Sequence, residues 1–325
     1  MIDYRVLDQK QRWRTEGEPL RTRMAKNWHA YVFLLPMIIW WVVFQIYPII
    51  ASYSIVLYDW SGVGTPSRYV GLENFSRVAM DPFFWKAFKN SFLYTLFQVP
   101  TQLFLALVLA IILNSKRLRG QAFFRTIFFL PNLMATSIVA LVIGLMLNPF
   151  DGVVNQGLMA LGLIQTPIHF LGDPKTAFPT IIVVGIWQTL GINMVFFLAG
   201  LQAIPNELFE ASGMDGATGW DNLWKITLPL IKPVAILILL MAVLGSMNVF
   251  DLVLVLTNGG PYFQTEVVQT YIYKFAFVGG LGGGRTNVGF ASAAALFMSV
   301  ILLGLSALQI TLVQRIRKQS REYGF

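Results

Sequence analysis

Six apolar stretches, each long enough to cross a lipid bilayer as a helix, constrain the fold of this chain more than any other feature. A helix needs about 20 consecutive apolar residues to cross the hydrocarbon core. Only helices and closed barrels satisfy all of their backbone hydrogen bonds inside lipid. The sequence therefore predicts an all-α membrane protein with six transmembrane helices, at residues 31–51, 91–113, 124–147, 177–201, 233–256 and 289–313.

The composition supports a lipid environment and excludes several kinds of site. Hydrophobic residues make up 56% of the chain and charged residues 12%, with a mean hydropathy of +0.62. That is too apolar for a water-soluble domain of this length. The chain has no cysteine and two histidines, so neither thiol chemistry nor a metal site is expected. The net charge of +8 does not indicate nucleic acid, because excess lysine and arginine marks the cytoplasmic loops of membrane proteins.

The distribution of basic residues predicts the orientation of the helices. Of the 24 lysine and arginine residues, 17 lie in or beside the segments on one side of the six spans, and seven lie on the other side. The richer side faces the cytoplasm, which places both termini there. The predicted organisation is a cytoplasmic tail at 1–29, a transmembrane domain at 30–315 and a second cytoplasmic tail at 316–325.

A polar segment at residues 202–232 follows the fourth span on the cytoplasmic side. Pro205 suits the first position of a helix, and acidic residues follow it, where the helix dipole favours negative charge. Gly213 and Gly216 are expected to interrupt that helix. The segment is therefore predicted to fold as a helix, a break and a second helix.

The second helix of this segment is expected to begin at Thr218, with Asp221 three residues later in an arrangement close to a capping box. Pro229 is expected to stop or bend it. Its larger side chains recur at helical spacing on one face, formed by Trp220, Leu223, Trp224 and Thr227. Such a face fits two interpretations, a docking surface for another protein or an amphipathic helix resting on lipid.

The run EASGMDG at 210–216, followed nine residues later by ITLP, closely resembles the EAA loop of permease subunits in ABC importers. That loop reads E-A-A, three residues, G, nine residues, I-x-L-P, and the chain departs from it where Ser212 replaces the second alanine. Asp215, Gly216, the following alanine and Trp220 resemble the carbohydrate-uptake branch, which includes maltose-type and glycerol-3-phosphate-type permeases.

Three further stretches resemble the same branch, and the resemblance covers most of residues 30–315. They are FFRTIFFLPN, WQTLGINMVFFLAGLQAIP and NVFDLVLVLTNGGP. The TNGGP ending of the last stretch is more similar to the maltose-type first permease subunit than to its usual partner.

The resemblance implies a type I ABC importer permease fold in a bacterial cytoplasmic membrane, in contact with lipid, with cytoplasmic EAA coupling helices. It implies a second homologous permease in a heterodimer, two ABC ATPase subunits and an extracytoplasmic solute-binding protein as partners. ATP and Mg²⁺ would bind the ATPases, and no cofactor would bind this chain. The residues that the resemblance assigns to ATPase coupling are Glu210, Ala211, Ser212, Asp215, Gly216, Trp220, Leu223, Trp224, Leu228 and Pro229.

Polar residues deep in the fourth and fifth spans are candidates for a substrate pathway, because such groups are costly in lipid and usually face a cavity or a partner helix. Amides, carboxylates and aromatic rings suit a sugar, and the resemblance places the translocation site in the same two spans. The same groups also fit a role in holding helices together, and Asp251 also fits a cap near the outer interface. The candidates are Trp187, Gln188, Gly191, Asn193, Ser246, Asn248, Phe250 and Asp251.

Two other classes of membrane protein are weaker fits to the sequence. An ion-gradient-driven secondary transporter should show mirrored halves with charged or broken helices, whereas only Asp251 is placed to relay a proton. A membrane enzyme needs a nucleophile with a base, or a metal set, and the sequence offers neither.

No Gly-x-x-x-x-Gly-Lys-Ser/Thr run occurs, so ATP binding by this chain is not expected. Monosaccharides, oligosaccharides, polyols and glycerol phosphates remain open as substrates.

Overall fold

The computed structural model describes Ala25 and residues 28–66, 68–115 and 118–322. The predicted cytoplasmic tail at 1–29 lies almost wholly outside these residues. The chain divides into two compact units, one ending at Ile55 and the other starting at Val56.

The first unit is a helical segment with a π-helical turn in its middle. Helix α1 (Trp28–Trp41) continues through the π-helical residues Val42–Ile46 into α2 (Tyr47–Ile55). The segment Tyr31–Ile55 is long and apolar enough to cross a membrane, so the first predicted span is confirmed as a helix. Pro36 lies inside α1.

The second unit begins with a small antiparallel hairpin, in which Tyr58 pairs with Tyr69 and Asp59 pairs with Arg68. Its first elements are β1 (Tyr58–Asp59), β2 (Arg68–Tyr69), α3 (Glu73–Met80), α4 (Pro82–Asn114), α5 (Gln121–Leu133), α6 (Thr136–Met146), α7 (Val153–Ala160) and α8 (Ala177–Gln202). The later elements are α9 (Asn206–Met214), α10 (Gly219–Asn222), α11 (Leu228–Met247), α12 (Asp251–Leu256), α13 (Val268–Tyr273) and α14 (Val288–Glu322), with π-helical turns at Leu223–Thr227 and Lys274–Val278.

Helices α4 and α8 pack along each other at the centre of this unit. Helix α4 begins at a side-chain cap, since the Asp81 carboxylate accepts a hydrogen bond from the Phe83 amide at 2.8 Å and Pro82 occupies the first turn. Small residues on α4 let α8 approach closely, as in many membrane helix pairs. The core between α4, α8 and α11 is formed by Ala106, Ala110, Leu113, Met194, Phe197, Leu198, Leu201, Ile231 and Ile238.

The third predicted span is not one straight helix. It consists of α5 and α6, which are bent by 98° at the short break between them. Met134 and Ala135 adopt extended backbone dihedrals there, whereas Pro131 lies inside α5. The apolar run 124–147 is continuous, and hydropathy does not report backbone dihedrals. The sequence therefore did not predict this bend.

The fifth predicted span, 233–256, is displaced towards the N-terminus. A single span of 29 residues runs from Gly219 to Met247, and the chain then breaks before α12. Pro229 therefore does not stop the helix; it lies in the first turn of α11, directly after the π-helical turn at Leu223–Thr227. The missing proline N–H is tolerated there because the hydrogen-bond ladder already shifts register in that turn.

The last span also differs from its predicted end. Helix α14 runs from Val288 to Glu322 without a break, so the predicted tail at 316–325 starts as a continuation of the helix. Among the described residues, five single helices are long and apolar enough to cross a membrane, and the number is six if the bent pair α5–α6 forms one span. The prediction of an all-α membrane protein is confirmed, and five to six candidate spans correspond to the six that were predicted.

Candidate functional site

A cavity of about 460 Å³ opens between α4, α6, α8 and the break that follows α11. The break places Asn248, Val249 and Phe250 at its wall, and Asp251 begins α12 beside them. The polar lining residues are Tyr94, Gln98, Gln102, Thr136, Gln188, Thr189, Asn193, Ser246, Asn248 and Asp251.

A hydrogen-bonded network joins α4 to α8 along one wall of the cavity. The Gln98 amide donates to Gln102 Oε1 at 3.1 Å and to Thr189 Oγ1 at 3.2 Å. Thr189 Oγ1 also donates to Gln102 Oε1, and the Asn193 amide donates to the Thr189 carbonyl at 2.9 Å. Gln98 Oε1 is buried and has no hydrogen-bond partner among the described residues. The amides are uncharged, and these hydrogen bonds fix which of their atoms donate and which accept along the cavity wall.

The opposite walls carry further hydroxyl and amide groups. Gln188 Nε2 donates to Thr136 Oγ1 of α6 at 3.0 Å, which links the bent helix pair to α8. Ser246 Oγ donates to Thr95 Oγ1 of α4 at 3.0 Å. These hydrogen bonds hold four helices around one polar space.

Side-chain contacts also fix the break after α11. Asn248 Nδ2 donates to the Leu244 carbonyl at 2.8 Å, and Asn248 Oδ1 accepts from Gln269 at 2.7 Å. The Phe250 ring meets the Tyr273 ring edge to face, with centroids 5.3 Å apart. These contacts hold the side chains of Asn248 and Phe250 where the backbone turns. Phe250 also lines the cavity.

Six of the eight predicted substrate residues line this cavity: Gln188, Asn193, Ser246, Asn248, Phe250 and Asp251. Trp187 and Gly191 do not. Trp187 follows the helical rotation away from Gln188 and lines a separate apolar hollow with Pro179 and Val183. A Cβ atom on Gly191 would overlap the Phe128 backbone, so this glycine lets α8 pack against α5.

Sequence reasoning missed several lining residues, most of them on α4. Tyr94, Gln98 and Gln102 recur every four residues and therefore share one helix face. Two glutamines at that spacing inside an apolar span were the available signal, because polar groups in a span usually face a cavity or a neighbouring helix. Thr136 of α6 was also missed as a member of this site.

The segment 202–232, which was predicted to be cytoplasmic, folds as two helices around a glycine turn. Gly216 has φ +75°, a left-handed conformation that favours glycine. Gly213 lies inside α9 and does not interrupt it, and Pro205 is the residue before α9 and not its first member. Within α9, Ser212 Oγ donates to the Phe209 carbonyl at 2.9 Å.

The predicted cap of the second helix is confirmed as a capping box between Thr218 and Asp221. Asp221 also pairs with Lys225, with Nζ and Oδ1 2.7 Å apart. The Asp221 carboxylate also accepts hydrogen bonds from the amide and the hydroxyl of Thr218, at 3.0 and 2.6 Å. These charge-assisted hydrogen bonds hold the start of the second helix.

The segment 202–232 exposes both acidic and aromatic side chains. Glu210, Ala211 and Asp215 are exposed. Trp220 and Trp224 are 68% and 55% exposed, with ring centroids 5.7 Å apart. Leu223 and Leu228 are half-buried and Pro229 is exposed.

Thr227 does not share the exposed face predicted for it. Its side chain is buried, because the π-helical turn at Leu223–Thr227 rotates it away from the two tryptophans. The remaining surface exposes two large indole rings, and aromatic residues are enriched at contacts between proteins.

Among the described residues, no group of three or more His, Cys, Asp or Glu side chains is placed to hold a metal ion. The candidate sites are therefore the cavity and the exposed surface of the segment 202–232.

Comparison with known proteins places the chain in one family. Residues 30–318 match the family described as "Binding-protein-dependent transport system inner membrane component". A probable ABC transporter permease protein of Bacillus subtilis is 35% identical over 86% of this chain and 94% of its own length. The lactose transport system permease protein of Rhizobium radiobacter is 34% identical over 85% of this chain and 90% of its own length.

A third relative and a solved structure extend the comparison. The trehalose/maltose transport system permease protein of Thermococcus litoralis is 33% identical over 88% of this chain and 93% of its own length. A crystal structure of a bacterial ABC transporter involved in the import of the acidic polysaccharide alginate contains a chain with a TM-score of 0.80. That chain is 28% identical, and the match covers 92% of this chain and 99% of that one.

Proposed function

The chain belongs to the family of binding-protein-dependent transport system inner membrane components, and from that premise we propose that it is one of two permease subunits of an ATP-driven sugar importer. It is an ABC transporter permease with the type I importer fold, a transport subunit and not an enzyme. The same findings favour ATP-driven import over the secondary transporter that the sequence left open.

The observation that carries the sugar assignment is the lining of the cavity. Amides, hydroxyls and one carboxylate surround it, together with the rings of Phe196, Phe250 and Tyr94. Ligand sites combine apolar walls with a few fixed polar groups that set orientation, and a saccharide offers both hydroxyls and C–H faces. The relatives named for lactose and for trehalose and maltose support the same class of ligand.

The partners are a second, homologous permease, two ABC ATPases that bind ATP and Mg²⁺, and an extracytoplasmic binding protein. One of the solved relatives is an alginate ABC transporter in complex with an alginate-bound periplasmic protein. The excess of basic residues on one side supports a bacterial cytoplasmic membrane location with both termini in the cytoplasm.

Five of the ten proposed coupling residues lie towards one end of a continuous helical span whose other end is at the cavity: Trp220, Leu223, Trp224, Leu228 and Pro229. The span Gly219–Met247 contains 29 residues, which corresponds to about 40 Å at 1.5 Å per residue. Trp220 and Trp224 lie near its first end, and Ser246 lies at its last turn beside the break. A displacement that an ATPase imposes on the tryptophans would move the cavity wall with it, because a packed helix moves as a rigid element.

The first test is reconstitution of the chain with its three kinds of partner in proteoliposomes. We expect uptake of radiolabelled sugar only when the binding protein and internal ATP–Mg²⁺ are both present. The measurement is the initial rate of uptake with ATP, with a non-hydrolysable analogue, and with an imposed ion gradient. Uptake by this chain alone, or uptake driven by the ion gradient, would contradict the proposal.

Two adjacent residues test the assignment of the cavity. Gln188→Leu should lower the rate of ATP-dependent uptake at least about tenfold, because it removes an amide from the cavity and leaves its neighbour Thr136 without a partner. Trp187→Leu should leave the rate within about twofold, since surface substitutions away from a site have small effects. The rates are compared at equal amounts of membrane-inserted importer. Equal losses in both variants would indicate that α8 is needed only for packing.

A further inference from the structure

From the charge of the cavity we infer that this importer selects saccharides without carboxylate or phosphate groups, and that Asp251 excludes anionic ligands. This inference rests on the proposed function and narrows its substrate class. The cavity would accept neutral sugars and exclude uronates and the glycerol phosphates that the sequence left open.

Among the described residues that line the cavity, Asp251 supplies the only carboxylate. It is the first residue of α12, directly after the break, and its side chain is exposed towards the open space. No described lysine, arginine or histidine forms an ion pair with it. Its negative charge is therefore not neutralised by a neighbour within the described part of the chain.

The rest of the lining carries no compensating positive charge. None of the lining residues is lysine, arginine or histidine, and the amides and hydroxyls of Gln98, Gln102 and Thr189 are neutral and bonded to one another. Recognition of carboxylate or phosphate groups normally uses arginine or lysine. The wall that this chain contributes has no such group.

Nearby basic residues on the predicted outer side are already engaged elsewhere. Lys274 Nζ lies 2.5 Å from Glu266 Oε2 and 2.8 Å from the Asn258 carbonyl oxygen. Lys86 Nζ donates to the Tyr262 carbonyl at 3.1 Å. Neither residue lines the cavity, so neither offsets the charge of Asp251 there.

The physical consequence is a difference between two kinds of ligand. A hydroxyl donates a charge-assisted hydrogen bond to a carboxylate, which is stronger than a bond between neutral groups. An anionic group in the same cavity is repelled, and the repulsion is larger than in water because the membrane interior screens charge weakly. Similarity to the alginate transporter does not by itself predict which ligand charge this cavity accepts.

The test is direct binding of matched trisaccharides to the detergent-purified importer without its binding protein, so that only the permease cavity selects. The neutral probes are maltotriose and raffinose, and the anionic probe is trigalacturonate, each followed by saturation-transfer NMR. We expect the neutral probes to bind the wild type at least about tenfold more tightly, as a like-charge interaction at short range requires. Asp251→Asn, and independently Asp251→Ser, should reduce that ratio to about threefold or less, because the repelling charge is removed.

Glu73→Gln is the matched control, because it removes one negative charge from an exposed residue of α3, outside the cavity. Its binding ratio should equal that of the wild type. Equal or tighter binding of trigalacturonate to the wild type, or an unchanged ratio in both Asp251 variants, would overturn the charge inference and leave the sugar importer intact. If none of the three probes binds the wild type, the assignment of the cavity to saccharides fails, and the inference fails with it.

Discussion

Replacing Glu210 with lysine is expected to abolish ATP-driven uptake while the chain still inserts in the membrane. Glu210 is exposed on α9, and Asp215, also exposed, lies at the end of the same helix. We propose that these carboxylates face a basic surface of the ATPase. Charge reversal there places like charges against each other, at a cost of several kcal/mol for the interface, so uptake should fall by about 100-fold or more.

The fold of the chain should tolerate this change. An exposed substitution away from caps and cores usually alters stability by less than about 0.5 kcal/mol. The measurements are uptake in proteoliposomes, the amount of ATPase that copurifies in detergent, and the abundance of the chain in membranes. We expect uptake and copurification to fall together at unchanged abundance.

Glu73→Lys provides a matched control, since it reverses the charge of an exposed helical glutamate on the predicted outer side. It should leave both uptake and copurification close to wild type. Normal copurification of the ATPase with the Glu210→Lys chain would show that the docking surface does not include this carboxylate.

The sequence predicted the membrane helices and the cytoplasmic segment because each depends on local features. Apolar length is sufficient to identify a spanning helix, and the capping box of Thr218 with Asp221 depends on three-residue spacing. The left-handed turn at Gly216 is a property of the residue itself. These features were found in the structure where local chemistry placed them.

The bend between α5 and α6 and the break after α11 could not be predicted in the same way. The residues at these points, Met134, Ala135 and Val249 among them, are apolar and look like the middle of a span. At the break after α11 a tertiary contact holds Asn248, which accepts a hydrogen bond from Gln269, 21 residues further along the chain. Hydropathy contains no information about such contacts.

The cavity was predicted in part for a similar reason. Polarity within a span identified Gln188 and Asn193, but the rotation of one helix against its neighbours decides which side chains share a space. Trp187 is adjacent to Gln188 in the sequence and faces a different hollow. Gln98 and Gln102 belong to a helix that was not considered for the site, although their spacing marks a single face.

The second large effect is expected at a buried ion pair that holds the loop between α12 and α13. Lys274 and Glu266 are 7% and 1% exposed, with Nζ and Oε2 2.5 Å apart. The loop is also tied to α4, since Asn90 Nδ2 donates to the carbonyls of Gln264 and Glu266 at 3.1 and 2.8 Å. Lys274 and Glu266 lie outside the spanning helices.

Lys274→Met should destabilise the folded chain by about 3–5 kcal/mol, because removing one partner leaves the other charge buried and unpaired. Glu266 Oε1 already lacks a hydrogen-bond partner among the described residues, so no second donor is in place to compensate. The measurement is the apparent melting temperature of the detergent-purified importer, followed by circular dichroism. Lys86→Met is the control, because Lys86 makes a single exposed hydrogen bond to the Tyr262 carbonyl, and its melting temperature should change little.

The effect of Lys274→Met should also depend on pH in a defined direction. Burial raises the pKa of the Glu266 carboxyl, and Lys274 opposes that rise, so its removal raises the pKa further. A carboxyl with a raised pKa in the folded state favours folding at low pH, and this contribution is lost as pH rises above the pKa of the unfolded chain. The deficit of the variant relative to wild type should therefore shrink as pH falls from about 8 to about 5. A deficit that stays constant over this range, or that remains when Glu266→Gln is added to Lys274→Met, would show that the loss comes from lysine packing and not from an unpaired carboxylate.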